Sequence, residues 1–211
     1  MIVSSDMFVF FFWKGQTEKG NRLVGLFLTK KMPDASSVLS PAVSVSTLDD
    51  IYPIGLLGSV IEIQVAAHLG AKQLHQVVLS GVRRIAATGV VQGPRFSVSV
   101  EELKEEPYQK DDRVIRAYCQ EILACLREVT SYDRSYGQQI QLLTEQVDST
   151  NPAELADLVA AIVSTREGAQ KVLEELDVKK RLNLALTHLK SELETNKIRS
   201  KLVKVNWGKR R

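Results

Sequence analysis

Hydrophobic and polar residues alternate along much of the chain between residues 24 and 104. The segment "VIEIQV" places Ile61, Ile63 and Val65 on one side of a strand and Glu62 and Gln64 on the other, and "FSVSV" repeats this arrangement at residues 96–100. A period of two residues is typical of a strand with one buried face. The pattern and the turn residues between the runs predict strands at 24–30, 56–66, 73–80, 82–91 and 95–103.

Glycine and proline mark the boundaries of these predicted strands. Turns are expected at Gly70, at Gly81 and at Gly93-Pro94, so that the runs on either side of Gly81 form two separate strands. The serine-rich stretch at residues 32–47 predicts an exposed loop. Short strands in close succession favour an antiparallel sheet or a small barrel over a parallel α/β fold.

The hydrophobic period changes to that of a helix after residue 107. The segment "DDRVIRAYCQEILACLREV" predicts an amphipathic helix with Asp111 or Asp112 as its N-cap. A second helix is predicted over "RSYGQQIQLLTEQV", at residues 134–147. The buried stripe of the first helix is expected to contain Val114, Ile115, Tyr118, Ile122, Cys125, Leu126 and Val129.

Three further helix starts are signalled by capping residues. Asn151 followed by Pro152 predicts one start, Ser164 with Glu167 predicts a capping box for the next, and Asp177 is placed to cap the last helix. The apolar stripe of this last helix consists of Leu182, Leu186, Leu189 and Leu193, and it resumes after Asn196 with Ile198, Leu202 and Val205. The stripe up to Leu193 is interpreted as ordinary bundle packing in preference to partner binding. Because the final part has too few apolar residues to sit inside the bundle and its other polar positions are basic, the pattern predicts a helix that leaves the domain.

Composition adds little to this picture. The 211 residues are 44% hydrophobic and 25% charged with a net charge of +3, which is the profile of a globular protein. The basic residues of the tail "NKIRSKLVKVNWGKRR" are interpreted as a solvated helix end in preference to a nucleic-acid site. Cys119 and Cys125 are interpreted as small core residues in a reducing compartment.

The beginning of the chain carries no targeting pattern and no membrane span. The apolar run from Met7 to Trp13 has seven residues, whereas a helix that spans a bilayer needs about 20. A buried strand or an unrelated start sequence is expected there. Neither a secretory signal nor a mitochondrial transit peptide matches this segment.

The known catalytic motifs are missing from the sequence. It contains no G-x-x-x-x-G-K-[ST] phosphate loop, no G-x-S-x-G elbow and no H-E-x-x-H helix. Arg83 and Arg84 could bind a phosphate or a carboxylate, but a structural role is favoured because neighbouring strand residues face opposite sides. We therefore expect no catalytic, cofactor or metal site in this chain.

Five segments in one order resemble the N-terminal domain of the Lon family of ATP-dependent serine proteases. They are "VGLFLTKK", "LDDIYPIGLLGSVIEIQ", "HQVVLSGVRRIAATGVVQGPRFSVSVEELKEEP", "NPAELADLVAAIVS" and "AQKVLEELDVKKRLNLALTHLKSELETNKI". The resemblance covers residues 23–203 and is strongest to mitochondrial and plant members.

The resemblance implies an α+β fold. An N-terminal antiparallel β-barrel or sheet of the PUA-like type would precede an α-helical bundle and a long C-terminal helix. We accordingly divide the chain into an atypical N-terminal segment, a β-rich subdomain, a helical bundle and a long amphipathic helix with a basic tail. The corresponding ranges are 1–22, 23–106, 107–176 and 177–211.

The same resemblance implies a function in binding. In the family this region recognises unfolded or damaged proteins and supports hexamer assembly, whereas ATP hydrolysis with Mg²⁺ and cleavage by a Ser-Lys dyad occur further along the chain. These 211 residues stop before those regions, so a fragment, a splice form or a mispredicted gene is expected. The implied partners are unfolded proteins and Lon hexamer subunits, and the implied location is the mitochondrial matrix.

Ile54, Leu56 and Leu57, in an apolar run next to glycines, are the hypothesised substrate contacts, with an ordinary core role as the alternative. Two other functions stay open. A free-standing Lon-domain adaptor or regulator would enter or inhibit the oligomer when mixed with full-length Lon. A PUA-like RNA-binding module would lose affinity steeply with salt, and it ranks last because few aromatic residues are available for base stacking.

Overall fold

The chain divides into two compact units, Met1–Lys104 and Glu105–Arg211. The computed structural model describes residues 2–3, 8–12, 23–30, 45–69, 72–92, 96–132, 151–163 and 165–208. Strands form the first unit and helices form the second. The α+β class predicted from the change of hydrophobic period is confirmed. The finer four-part division of the chain stays a prediction.

The described strands of the first unit form one antiparallel sheet. Their spatial order is β1-β5-β4-β3-β2, and β6 pairs with a further part of β5. A short 3-10 helix, Leu48–Asp50, precedes β4. The strands are β1 (Ile2–Val3), β2 (Phe8–Phe12), β3 (Leu23–Leu28), β4 (Ile54–Leu69), β5 (Lys72–Val91) and β6 (Ser97–Leu103).

The predicted turn at Gly81 is wrong, because β5 continues through this residue as one strand of 20 residues. Gly81 pairs with Gly58 of β4 inside the ladder. A Cβ atom at Gly81 would lie 3.0 Å from Cδ2 of Leu56, so a larger residue here would make the Leu56 side chain shift by a few tenths of an ångström. The predicted turn at Gly70 and the loop residues 31–44 lie outside the described residues.

The sheet buries apolar side chains on both of its faces. Leu26 and Phe27 are neighbours in β3, and because successive strand residues face opposite sides they belong to different clusters. Leu26 packs with Leu79, whereas Phe27 packs with Ile51 and Ile85. The first unit is therefore held together by two small cores, one on each face of the sheet.

Four described helices form the second unit. They are α1 (Arg113–Tyr132), α2 (Pro152–Val163), α3 (Arg166–Glu174) and α4 (Val178–Gly208). The helix predicted at residues 134–147 lies outside the described residues. The apolar core of the bundle contains Ile115, Ile122, Leu126, Val129, Leu155, Val159, Leu182, Leu186, Leu189 and Leu193.

Most of the predicted caps are confirmed. The Oδ1 atom of Asp112 accepts a hydrogen bond from Val114 N at 2.8 Å, and that of Asp177 accepts one from Lys179 N at 2.8 Å. Asn151 caps α2 through Ala153 N at 3.2 Å. The prediction of Ser164 as the cap of α3 is wrong, because the neighbouring Thr165 accepts from Gly168 N at 3.2 Å.

The predicted buried stripe of α1 is correct except at its first residue. Val114 is 50% exposed, whereas the next residue, Ile115, is fully buried, so the packed stripe begins at Ile115. Cys119 is half-buried, Cys125 is buried and both are free thiols. Burial raises the pKa of both thiols, which keeps them protonated at neutral pH. Both cysteines therefore behave as apolar residues of the helical core.

Helices α1 and α4 run parallel to each other. Three lysines of α4 form ion pairs with the N-cap residue of α1 and with two glutamates within α1. The lysines and their acidic partners follow the same order along the chain, which shows that the two helices point in the same direction. The pairs are Lys179 with Asp112 at 2.7 Å, Lys190 with Glu121 at 2.8 Å and Lys197 with Glu128 at 3.2 Å. α4 continues past the last pair to Gly208, and Ile198 on this part is 57% exposed.

A buried arginine fixes the segment before α1 to the start of α4. Arg181 is fully buried, and its Nε donates to the carbonyl oxygen of Glu175 at 2.8 Å. Its Nη1 donates to Glu105 Oε1 at 2.6 Å and lies 3.9 Å from Asp157 Oδ1. The chain entering α1 is therefore part of the helical unit from Glu105 onward.

Candidate peptide-binding edge of the sheet

Strand β4 has 16 residues, whereas β3, its neighbour on one side, has only six. β3 begins at Leu23, opposite Ser59, and within the described residues no strand pairs with β4 beyond Ser59 on that side. β4 continues to Leu69, and its other side pairs with β5 along this length. We call residues 60–63 of β4, on the side facing away from β5, the open edge. Unpaired backbone groups on such an edge are available to another extended chain.

Two apolar side chains of the open edge are accessible to solvent. Ile61 is 67% exposed and Ile63 is 50% exposed, with the exposed Glu62 between them. The burial predicted for both isoleucines from their alternation is therefore wrong. That pattern shows which residues share a side of a strand, but it does not show whether another element covers that side.

Two β-bulges shape this part of the β4–β5 pair. Val60 pairs with Leu79 and Glu62 with Val78, which leaves Ile61 as an extra residue in β4. Leu57 pairs with Arg83 and Gly58 with Gly81, which leaves Val82 as an extra residue in β5. Bulges turn side chains away from the regular ladder, and Val82 is also 49% exposed.

The three hypothesised contact residues lie nearer the middle of the sheet. Leu56 packs against the cluster of Leu26 and Leu79, whereas Leu57 packs on the opposite face against the other cluster. Ile54, Leu56 and Leu57 are all half-buried. The structure thus places the two leucines in core contacts on different faces, and their role in binding substrate stays a prediction.

The two adjacent arginines differ in their surroundings. Arg83 is exposed, and its Nη1 lies 2.6 Å from Glu102 Oε2 on the neighbouring strand β6. Arg84 is half-buried and pairs with Leu56 on one side and Leu103 on the other. This alternation agrees with a structural role, since Arg83 already has a carboxylate partner.

An open cleft of about 340 Å³ lies in the helical unit near the starts of α1 and α4. Two of its acidic side chains cap helix N-termini: Asp112 caps α1 and forms an ion pair with Lys179, and Asp177 caps α4. The Lys179 ammonium group and then the Val114 backbone N–H lower the pKa of Asp112. The two aspartates and the lysine of this cleft therefore have structural roles at the helix starts.

Two other kinds of site are absent from the part of the chain that the structure describes. Within them, no group of three or more His, Cys, Asp and Glu side chains is arranged to hold a metal ion. Over the same part of the chain, no helix combines the length and hydrophobicity that crossing a membrane requires.

Comparison with known proteins agrees with this architecture. The family model described as the ATP-dependent protease La (LON) substrate-binding domain matches residues 10–191. The mitochondrial Lon protease homolog of Oryza sativa subsp. indica is 37% identical over 182 residues, covering 85% of this chain and 18% of the relative. Lon protease homolog 1, mitochondrial, of Arabidopsis thaliana is 34% identical over 181 residues, covering 85% of this chain and 19% of the relative.

The fold also has a solved counterpart. The N terminal domain of Mycobacterium avium complex Lon protease aligns with a TM-score of 0.50 and 23% identity, covering 68% of this chain and 74% of that one. The chain spans about a fifth of the length of the curated relatives it matches. Since the family model covers most of the 211 residues, this chain belongs to the Lon substrate-binding domain family.

Proposed function

We propose that this chain recognises unfolded or damaged polypeptides for a Lon-type ATP-dependent serine protease, as part of protein quality control. The observation that carries the proposal is the match to the Lon substrate-binding domain along residues 10–191. The open edge of the sheet supports it, because Ile61 and Ile63 present apolar surface to solvent beside backbone that no described strand pairs with.

The chemistry of this surface suits an unfolded chain. A folded protein buries most of its large apolar side chains, whereas an unfolded chain exposes them together with unpaired backbone groups. A folded partner offers few exposed apolar side chains and few unpaired backbone groups, so it would bind weakly to a surface made of apolar side chains and a strand edge. Discrimination would therefore follow from exposure of the substrate backbone and side chains rather than from a particular sequence.

The assembly and the location form part of the same proposal. The partners would be unfolded substrates and the other subunits of a Lon hexamer. ATP and Mg²⁺ would act in the ATPase region of the family, and no cofactor is proposed for these 211 residues. The relatives named mitochondrial support a mitochondrial location, and we propose the matrix.

The proposal is tested by binding of the purified chain to one protein in two states. A reduced, carboxymethylated protein that cannot refold is labelled with a fluorophore, and its native, disulfide-bonded form is labelled in the same way. Fluorescence anisotropy should show binding of the unfolded form and little binding of the native form. Equal affinity for both forms, or no affinity for the unfolded form, would contradict a role in substrate recognition.

A further inference from the structure

We propose that the open edge of β4 binds its ligand by strand addition, with an extended polypeptide segment pairing alongside residues 60–63. This inference rests on the proposed function and specifies how a substrate segment is held. It commits to an extended segment with apolar residues at alternate positions and a basic residue between two of them.

The extended conformation follows from the backbone of the edge. β3 starts opposite Ser59, so from Val60 onward the described strands leave one side of β4 without a partner. The N–H and C=O groups of a strand edge are satisfied in regular order only by another extended chain. A helix uses its own backbone groups internally and therefore could not pair with this edge.

The side-chain pattern follows from the residues on the edge. Ile61 and Ile63 are 67% and 50% exposed, and opposing residues on adjacent strands make the closest side-chain contacts. Apolar ligand residues opposite both isoleucines would remove this surface from water. Glu62 is exposed between the two isoleucines, and a lysine or arginine opposite it would form a cross-strand ion pair.

Pairing with β5 holds the open edge in an extended conformation. Residues beyond Ser59 are paired to β5 as far as Leu69, and opposite Glu62 and Ile63 strand β5 is itself paired with β1 on its other side. The edge therefore belongs to a sheet that is three strands wide at this point. The bulge at Ile61 adds local twist, which limits how far a flat strand could extend along the edge. A segment of a few residues fits this site better than a long strand.

The experiment uses the full chain and a fluorescein-labelled peptide of alternating valine and serine with a central lysine. Fluorescence anisotropy is measured with wild type, with Ile61→Asp/Ile63→Asp and with Val114→Asp. Val114 is a matched control because it is 50% exposed in the helical unit, as Ile63 is in the sheet. We expect the double variant to bind roughly tenfold or more weakly, and the control to bind as wild type does.

A second arm leaves the protein unchanged. The same peptide with N-methyl groups on alternate amides of one edge keeps its side chains but loses the N–H donors needed for strand pairing. Methylation of the pairing edge should abolish binding, and methylation of the opposite edge should leave affinity unchanged. Equal binding of all three peptides would overturn strand addition even if the Asp variants failed to fold.

Hydrogen exchange tests whether the edge is already occupied by the chain itself. Residues 60–63 include amides that should exchange rapidly in the free protein and slow down when the lysine-centred peptide is added. Slow exchange before addition would mean that the edge is already covered, and the proposal would fail.

The two proposals fail in different ways. If the carboxymethylated protein binds wild type and the double Asp variant equally, the chain recognises unfolded protein elsewhere and only the open edge is refuted. If that protein does not bind wild type at all, the proposed function fails, whatever the short peptide shows.

Discussion

Removal of the Glu105 carboxylate should destabilise the helical unit more than removal of the arginine it binds. Arg181 is fully buried, and Glu105 Oε1 is its shortest contact at 2.6 Å. The Glu105→Ala variant would leave a buried cation that keeps one carbonyl bond from Glu175 and the carboxylate of Asp157 at 3.9 Å. A buried charge without its counterion is costly, whereas a carboxylate near the surface regains water.

The expected magnitude follows from the burial of the two partners. Breaking a fully buried ion pair from one side costs roughly 3–5 kcal/mol. Here the Glu105 side chain is 35% exposed and Asp157 remains nearby, so water and a second acid partly compensate. We expect Glu105→Ala to lower the free energy of unfolding by about 2 kcal/mol. Arg181→Met keeps an apolar stem in the site and should cost about 1 kcal/mol, chiefly for the hydrogen bond lost at Glu175.

The assay is urea unfolding at pH 7, followed by circular dichroism of the helices. Glu106→Ala is the matched control, because Glu106 is the adjacent exposed glutamate, and its effect should stay within about 0.5 kcal/mol. The combined Glu105→Ala/Arg181→Met variant should be more stable than Glu105→Ala alone, since it removes the uncompensated cation. A combined loss equal to the sum of the two single losses would refute this reasoning.

Three further predictions concern packing, pH and thiol chemistry. Gly55→Ala should lower the free energy of unfolding in urea by about 2 kcal/mol or more, because its Cβ would overlap a backbone carbonyl of β3. The control Gly89→Ala meets nothing within 4 Å and should change the free energy of unfolding by less than about 1 kcal/mol. Similar losses for the two variants would contradict this packing. The Lys179 ammonium group lowers the pKa of Asp112 in the folded state. The contribution of ionised Asp112 to the stability of the fold is therefore present at neutral pH and lost as the pH falls below about 4. Asp112→Asn should therefore lose less stability between pH 7 and pH 3 than wild type, and equal losses would exclude this contribution. Cys125 is buried and its pKa is raised, so it should react with a thiol reagent far more slowly in the native protein than in urea. Mass spectrometry of the modified protein measures both rates. Similar rates would show that the thiol is accessible in the native protein.

The sequence correctly predicts features that depend on a few neighbouring residues. Asp112, Asn151 and Asp177 begin helices because their side chains accept hydrogen bonds from backbone amides two or three residues later. Only at α3 did the local signal select the wrong residue, where Thr165 caps the helix. The change from a period of two to a period of 3.6 likewise separated the strands from the helices, because it reflects how side chains project from each backbone.

Other features depended on contacts between residues far apart in the chain. The alternation around Ile61 and Ile63 placed them together on a strand, but their exposure depends on where β3 begins beside β4. Gly81 marks a turn in isolation, yet strand pairing with Gly58 carries the chain straight through it. Periodicity and capping were therefore fixed by the local sequence. Which edges and faces stay open was decided by tertiary pairing, since burial depends on the elements that cover a residue and not on the residue alone.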